Sequence, residues 1–138
     1  MSTRTRVGCD LASTAEVRES VATFGQRYLR RIYTDAELVA CQGRPERLAA
    51  RFAAKEACAK VLGDLTGALP WLDVEITHDG GGRPVITTHR RAAALAGAAG
   101  VLEMDVSLSH QGDLAVAVVV AAMSDPVVAA GPDEESTT

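Results

Sequence analysis

The amino-acid sequence predicts an α+β domain, with a small, mainly antiparallel sheet, one long helix and several shorter ones. Three observations lead there. Residues 45–61, PERLAARFAAKEACAKV, are strong helix formers opened by a proline and followed by Gly63. Residues 72–78 and 84–88 alternate apolar and polar around the turn DGGG, a hairpin pattern. Residues 103–109 alternate in the same way, and past Gly112-Asp113 the run 114–122 is apolar on both faces, as a central strand is. Helices and antiparallel hairpins segregated along a chain belong to the α+β class.

Each element has its own warrant. Residues 5–11, TRVGCDL, form a short strand ending at Asp10. Helix signals over 14–33 are interrupted at Gly25, which divides a helix near 14–23 from a turn of helix at 26–32. Thr34 followed by Glu37 is a capping-box pattern and starts a short helix to about residue 41. Residues 89–99 are Ala-rich and helical, closed by Gly100. Residues 124–138 carry Pro, Gly and acids without periodicity, which predicts a disordered acidic tail behind a folded domain at 1–123.

The chain has 138 residues, enough for one domain that buries about two-thirds of its unfolded surface. Aromatics are only 4%, so its core must come from Ala, Val, Leu and Ile. The longest apolar run, Leu114 to Met123, is short of the roughly 20 residues a membrane helix needs. No apolar stretch follows Arg4 and Arg6, so no standard secretory signal is expected. Cys9, Cys41 and Cys58 are odd in number and match no zinc spacing, which suits reduced thiols in the cytoplasm, two of them packed as small hydrophobes.

Charge is uneven. Residues 1–63 carry eleven Lys and Arg against seven Asp and Glu, whereas 64–123 carry three against seven. A basic first half suits an acidic protein, a phosphate or nucleic acid, and equally an ordinary solvated surface.

On the long helix, Leu48, Phe52, Glu56 and Lys60 share one ridge, which turns from apolar to charged and so leaves the core midway. Glu56 and Lys60 alone could be a plain i,i+4 ion pair. Asp10 alone could be a turn residue.

Taken together, VGCDL (7–11), RFAAKEACAKVLG (51–63), GGRP (81–84) and VSLSH (106–110) resemble the holo-acyl-carrier-protein synthases, the small type of 4'-phosphopantetheinyl transferase. The resemblance spans residues 7 to about 122, in order, and implies the phosphopantetheinyl transferase-like fold. It implies an enzyme that moves phosphopantetheine from coenzyme A to a serine of an apo acyl carrier protein, releasing 3',5'-ADP. It assigns Asp10 and Glu56 as magnesium ligands, which suits an ion that takes hard oxygens from one or two carboxylates plus phosphates. Lys60, one turn beyond Glu56, would stabilise or protonate the leaving oxygen. Glu56 or a water at the metal would take the serine proton. Coenzyme A contacts are implied for Gly82, Arg83, Pro84, Ser109 and His110, with Lys60 facing the same phosphates. Arg51 would hold a phosphate or a structural carboxylate, whereas Lys55, about 100° round the helix from Glu56, lies off the metal face. Arg27 and Arg31 fall where the family meets its acidic carrier. The resemblance also implies a homotrimer with sites shared between subunits, strands 103–109 and 114–122 supplying buried contact. It implies no nucleic-acid or membrane partner. The chain departs from the family at Ser13, where glutamate is common, at Glu16, often basic, and at Gln111, often acidic. Asp10, Glu56 and Lys60 persist, so the departures bear on the choice of carrier. A homologue that only binds coenzyme A or a carrier is the alternative; it would have no need of a metal pair.

Overall fold

A computed structural model describes residues 4–64 and 66–124. The chain runs β1 (Arg4–Ser13), α1 (Thr14–Phe24), α2 (Gln26–Ile32), α3 (Asp35–Cys41), α4 (Pro45–Val61), a 3-10 turn (Trp71–Asp73), β2 (Val74–His78), β3 (Pro84–Thr88), α5 (Arg90–Ala99), β4 (Val101–Gln111) and β5 (Leu114–Met123). The expected α+β class holds. Every strand pair is antiparallel, in a three-stranded sheet of order β1-β5-β4 and a two-stranded hairpin β2-β3. The expected acidic tail lies outside the described residues, apart from Ser124.

β5 is the central strand, as its two apolar faces predict. Its residues Ala115, Ala117, Val119 and Ala121 alternate inward and are fully buried. α4 lies across them with Ala49, Ala53, Ala54 and Ala57 equally inaccessible. Small side chains on both surfaces let a helix approach a sheet closely, which is how a chain poor in aromatics fills its core. The approach is closest at Gly8 of β1. A Cβ built there would collide with the Ala57 carbonyl of α4, so only glycine fits, as a glycine inside a strand signals.

Several boundaries differ from expectation. β1 continues past Asp10 to Ser13, and β4 runs two residues longer at each end, because both pair along nearly the whole of β5. The expected strand over 72–78 begins at 74, since Trp71–Asp73 form a 3-10 turn whose Asp73 amide donates to Pro70 O at 3.0 Å. The capping box at Thr34 is formed as expected.

Ser13 caps α1. Its hydroxyl accepts from the Glu16 amide at 3.1 Å and donates to Asp113 Oδ2 at 2.7 Å. A serine is a good N-cap and Glu16 in the first turn suits the helix dipole, so both departures serve the junction of β1 and α1. Cys41 and Cys58 are buried, as expected of small hydrophobes, and burial pushes the Cys58 thiol up to about 12. Cys9 is exposed.

Candidate active site

β1 and α4 together build an acidic depression. Gly8 brings the strand against Ala57, and Asp10, two residues along, then faces Glu56. The two carboxyl groups are within hydrogen-bonding reach of each other. Lys60, one turn on, stands 3.7 Å from Asp10 Oδ1 and donates to Cys9 O at 3.0 Å. The expected alternative, an ion pair between Glu56 and Lys60, is not the pairing found among the described residues: Lys60 turns to the strand instead. The ridge of α4 does leave the core midway, from buried Leu48 through half-buried Phe52 and Glu56 to exposed Lys60.

The electrostatics follow. Partial burial and the neighbouring Asp10 push Glu56 up to about 8, against the opposing pull of Lys60. Burial alone would raise Asp10, but the adjacent Glu56 carboxyl, the Leu11 amide hydrogen bond and the Lys60 charge hold it below the ordinary value. Asp10 Oδ2 is buried with no hydrogen-bond donor among the described residues. Two facing carboxyls with an orphaned oxygen form a hard-oxygen donor set that a small divalent cation would satisfy. No cluster of three or more His, Cys, Asp or Glu forms among the described residues, so the remaining ligands of such an ion would come from substrate phosphates and water. A cavity of about 140 Å³ opens here, walled also by Ala59, Leu69, Pro70 and Trp71.

A second cleft, about 440 Å³, gathers Arg51, Ser109 and His110. Ser109 and His110 are exposed on β4 there, whereas Arg51 is only 2% accessible. The Arg51 Nε donates to Ile76 O at 3.3 Å and its Nη2 lies 3.0 Å from His78 Nδ1. No salt bridge to Arg51 forms among the described residues, so the structural-carboxylate alternative finds no partner there. Burial with the charges of Arg51 and Arg47 holds the His78 imidazole below its ordinary pKa. Gly82, Arg83 and Pro84 form the tip of the β2–β3 hairpin. There Asp79 accepts from the Gly81 and Arg83 amides at 2.9 and 3.0 Å, and Gly82 takes φ +83°. Arg27 and Arg31 are exposed along a third groove with Phe24, Tyr28, Phe52 and Trp71.

Within one chain, then, Asp10, Glu56 and Lys60 come together, while Arg51, Ser109 and His110 share a different cleft. Sequence reasoning missed Arg47 and His78 beside Arg51, Trp71 on the wall of the acidic depression, and Gly8 beneath it. For Gly8 a signal existed, a glycine inside a strand. Lys55 is buried and meets Glu37 at 2.7 Å.

Comparison with known proteins identifies the family. Residues 6–119 match the family model described as the 4'-phosphopantetheinyl transferase superfamily. A holo-[acyl-carrier-protein] synthase of Herpetosiphon aurantiacus is 41% identical, over 82% of this chain and 94% of that one. One from Chloroflexus aurantiacus is 43% identical, over 83% and 95%. The crystal structure of the Helicobacter pylori holo-[acyl-carrier-protein] synthase in complex with coenzyme A superposes with a TM-score of 0.76 at 31% identity, covering 84% of this chain and 99% of that one. The synthase from Neisseria meningitidis gives 0.74 at 34% identity, covering 83% and 95%. With the family model spanning most of the chain and these relatives matched nearly end to end, the chain belongs to the 4'-phosphopantetheinyl transferase superfamily.

Proposed function

We propose that this protein is a holo-acyl-carrier-protein synthase. It transfers the 4'-phosphopantetheine group of coenzyme A to a serine of an apo acyl carrier protein, giving the holo carrier and 3',5'-ADP. The observation that carries this reading is the pair of facing carboxyls, Asp10 and Glu56, with a lysine at their side. A protein that merely held coenzyme A would have no use for two carboxyls against its phosphates.

Asp10 and Glu56 would hold a magnesium ion, and that ion would neutralise the charge on the pyrophosphate. Lys60, half-exposed at the rim, carries a cation to the leaving oxygen of 3',5'-ADP. Glu56, or a water beside the ion, would accept the hydrogen of the carrier serine. Leu69, Pro70 and Trp71 wall the cavity beside these groups. Arg51, Ser109, His110 and the Gly82–Arg83–Pro84 tip would contact coenzyme A. Arg27 and Arg31 would meet an acidic carrier, by attraction that weakens with salt.

The separation of the two clefts supports a homotrimer in which one subunit supplies Asp10, Glu56 and Lys60 and a neighbour supplies Ser109 and His110. The outer face of the sheet supports it too: Val7, Leu11, Leu102, Leu114 and Val120 are 41–64% accessible, an apolar surface suited to burial against other copies. No helix among the described residues is long and apolar enough to cross a membrane. The free thiols of Cys9, Cys41 and Cys58 support a reducing compartment, the cytoplasm.

Intact-mass spectrometry of apo carrier proteins incubated with the protein, coenzyme A and magnesium tests the reading. A carrier gains the mass of phosphopantetheine, and chelator prevents the gain. Coenzyme A binding without a mass gain on any carrier would favour a binding protein instead.

A further inference from the structure

The acidic depression and the groove beneath Arg27 and Arg31 share one wall, the side chain of Trp71. Its mounting is rigid. Lys55 Nζ donates to the Trp71 carbonyl at 3.0 Å, and Lys55 is itself locked by Glu37 at zero exposure. The Phe52 ring lies 5.0 Å away, tilted by 43°. The indole nevertheless stays half-buried, with one pocket on each side of it. Tryptophan joins a broad apolar face to a single N–H donor, a combination suited to packing against a peptide segment.

The chemistry requires something at this boundary. Resting on the reading of Asp10, Glu56 and Lys60 as the transfer site, the serine oxygen must come within roughly 3–3.5 Å of the phosphorus. A carrier seated against Arg27 and Arg31 can present its serine to that site only by passing the Trp71 wall. We propose that Trp71 is a carrier-contacting specificity residue, whose fixed indole packs against the serine-bearing segment and aligns it at the mouth of the transfer pocket.

Steady-state transfer by the unmodified protein, Trp71→Ala and Trp71→Phe tests this, with coenzyme A and carrier varied separately. Loss of one well-packed aromatic contact is expected to raise the carrier KM about tenfold in Trp71→Ala. The coenzyme A KM should change less than about twofold, and Trp71→Phe, which keeps a flat ring, should recover most of the loss. Because Trp71→Ala also removes the Phe52 contact, a second measurement uses the unmodified protein. Trp71 is the single tryptophan of the chain, so a tryptophan-free apo carrier should alter its fluorescence at the concentrations that support transfer. A folded Trp71→Ala with an unchanged carrier KM would overturn the proposal, as would emission that ignores a saturating carrier. Absence of transfer by the unmodified protein would instead remove the catalytic reading on which the proposal rests.

Discussion

Two lysines of α4 meet carboxylates in opposite ways. Lys55 and Glu37 are at zero exposure, 2.7 Å apart. Every charge-bearing atom there has a partner: Glu37 accepts from the Thr34 amide at 2.9 Å and the Ile76 amide at 3.0 Å, and Lys55 donates to the carbonyls of Trp71 and Val74. Lys60 and Asp10 are 3.7 Å apart, and the lysine side chain is 53% accessible. There Asp10 Oδ2 lacks a donor and Glu56 is driven up to about 8. The first pair is saturated, so it has nothing to offer a ligand; it ties α3, α4 and β2 together. The second has unmet capacity, and a ligand can meet it. On one helix, little more than a turn separates an ion pair that holds structure from one open to chemistry.

The sharpest way to break the contrast is at Glu56. Glu56→Gln should lower the transfer rate at least about a hundredfold, since it removes a charge from the metal-binding pair. Thermal melting should be unchanged or slightly higher, because the substitution also relieves crowding between two carboxyls. Transfer at the parent rate would dismiss the assigned mechanism.

The opposite pattern is expected at Lys55. Lys55→Met leaves the Glu37 charge buried without a partner and should cost about 3–5 kcal/mol in urea denaturation. Adding Glu37→Leu should restore part of it, since an apolar pair of similar size tolerates burial. Lys60→Ala lies between these cases. Its stability change should be only about 0–1 kcal/mol, as for exposed ion pairs. Its kcat should nevertheless fall by roughly ten- to a hundredfold, through loss of a cation at the leaving oxygen.

The smallest effect is in pH dependence. Glu56 keeps its proton in the folded protein up to about 8, whereas the unfolded chain loses it near its ordinary value of 4.5. Between these the native state binds more protons, so this group's contribution to stability declines as pH rises. Denaturation midpoints measured in chelator from pH 5 to 8 should therefore fall more steeply for the parent than for Glu56→Gln. Parallel curves would place the Glu56 pKa near its ordinary value.

Much of this was legible in the sequence, and the division follows the range of the interactions. The Thr34–Glu37 box, the proline-opened α4 and the central β5 are written in neighbouring residues. The ridge from Leu48 to Lys60 is a matter of helical period. Asp10 and Glu56 could be joined only through the family resemblance, since nothing local relates a strand end to a helix so far along the chain. The partner of Lys55 lies 18 residues away on another helix, so its burial was not visible. The 3-10 turn at Trp71 interrupts an alternation that continues smoothly in the sequence, and the Asp73 hydrogen bond that makes it is a property of the folded loop. Likewise, that Arg51 and His110 share a cleft apart from Glu56 is decided by how β4 crosses α4.

The empty position beside Cα of Gly8 has a consequence for anyone surveying this protein by saturation mutagenesis. Every alternative residue there adds at least one carbon between β1 and the Ala57 carbonyl. The strand would retreat, and Asp10 would retreat with it from Glu56. Position 8 would then score like a residue of the reaction itself, intolerant of every replacement, although it has no functional group to contribute. An activity map alone would count it among the chemical groups, and only a parallel map of folded abundance, set beside the distance between two carboxyls, would tell spacing from chemistry.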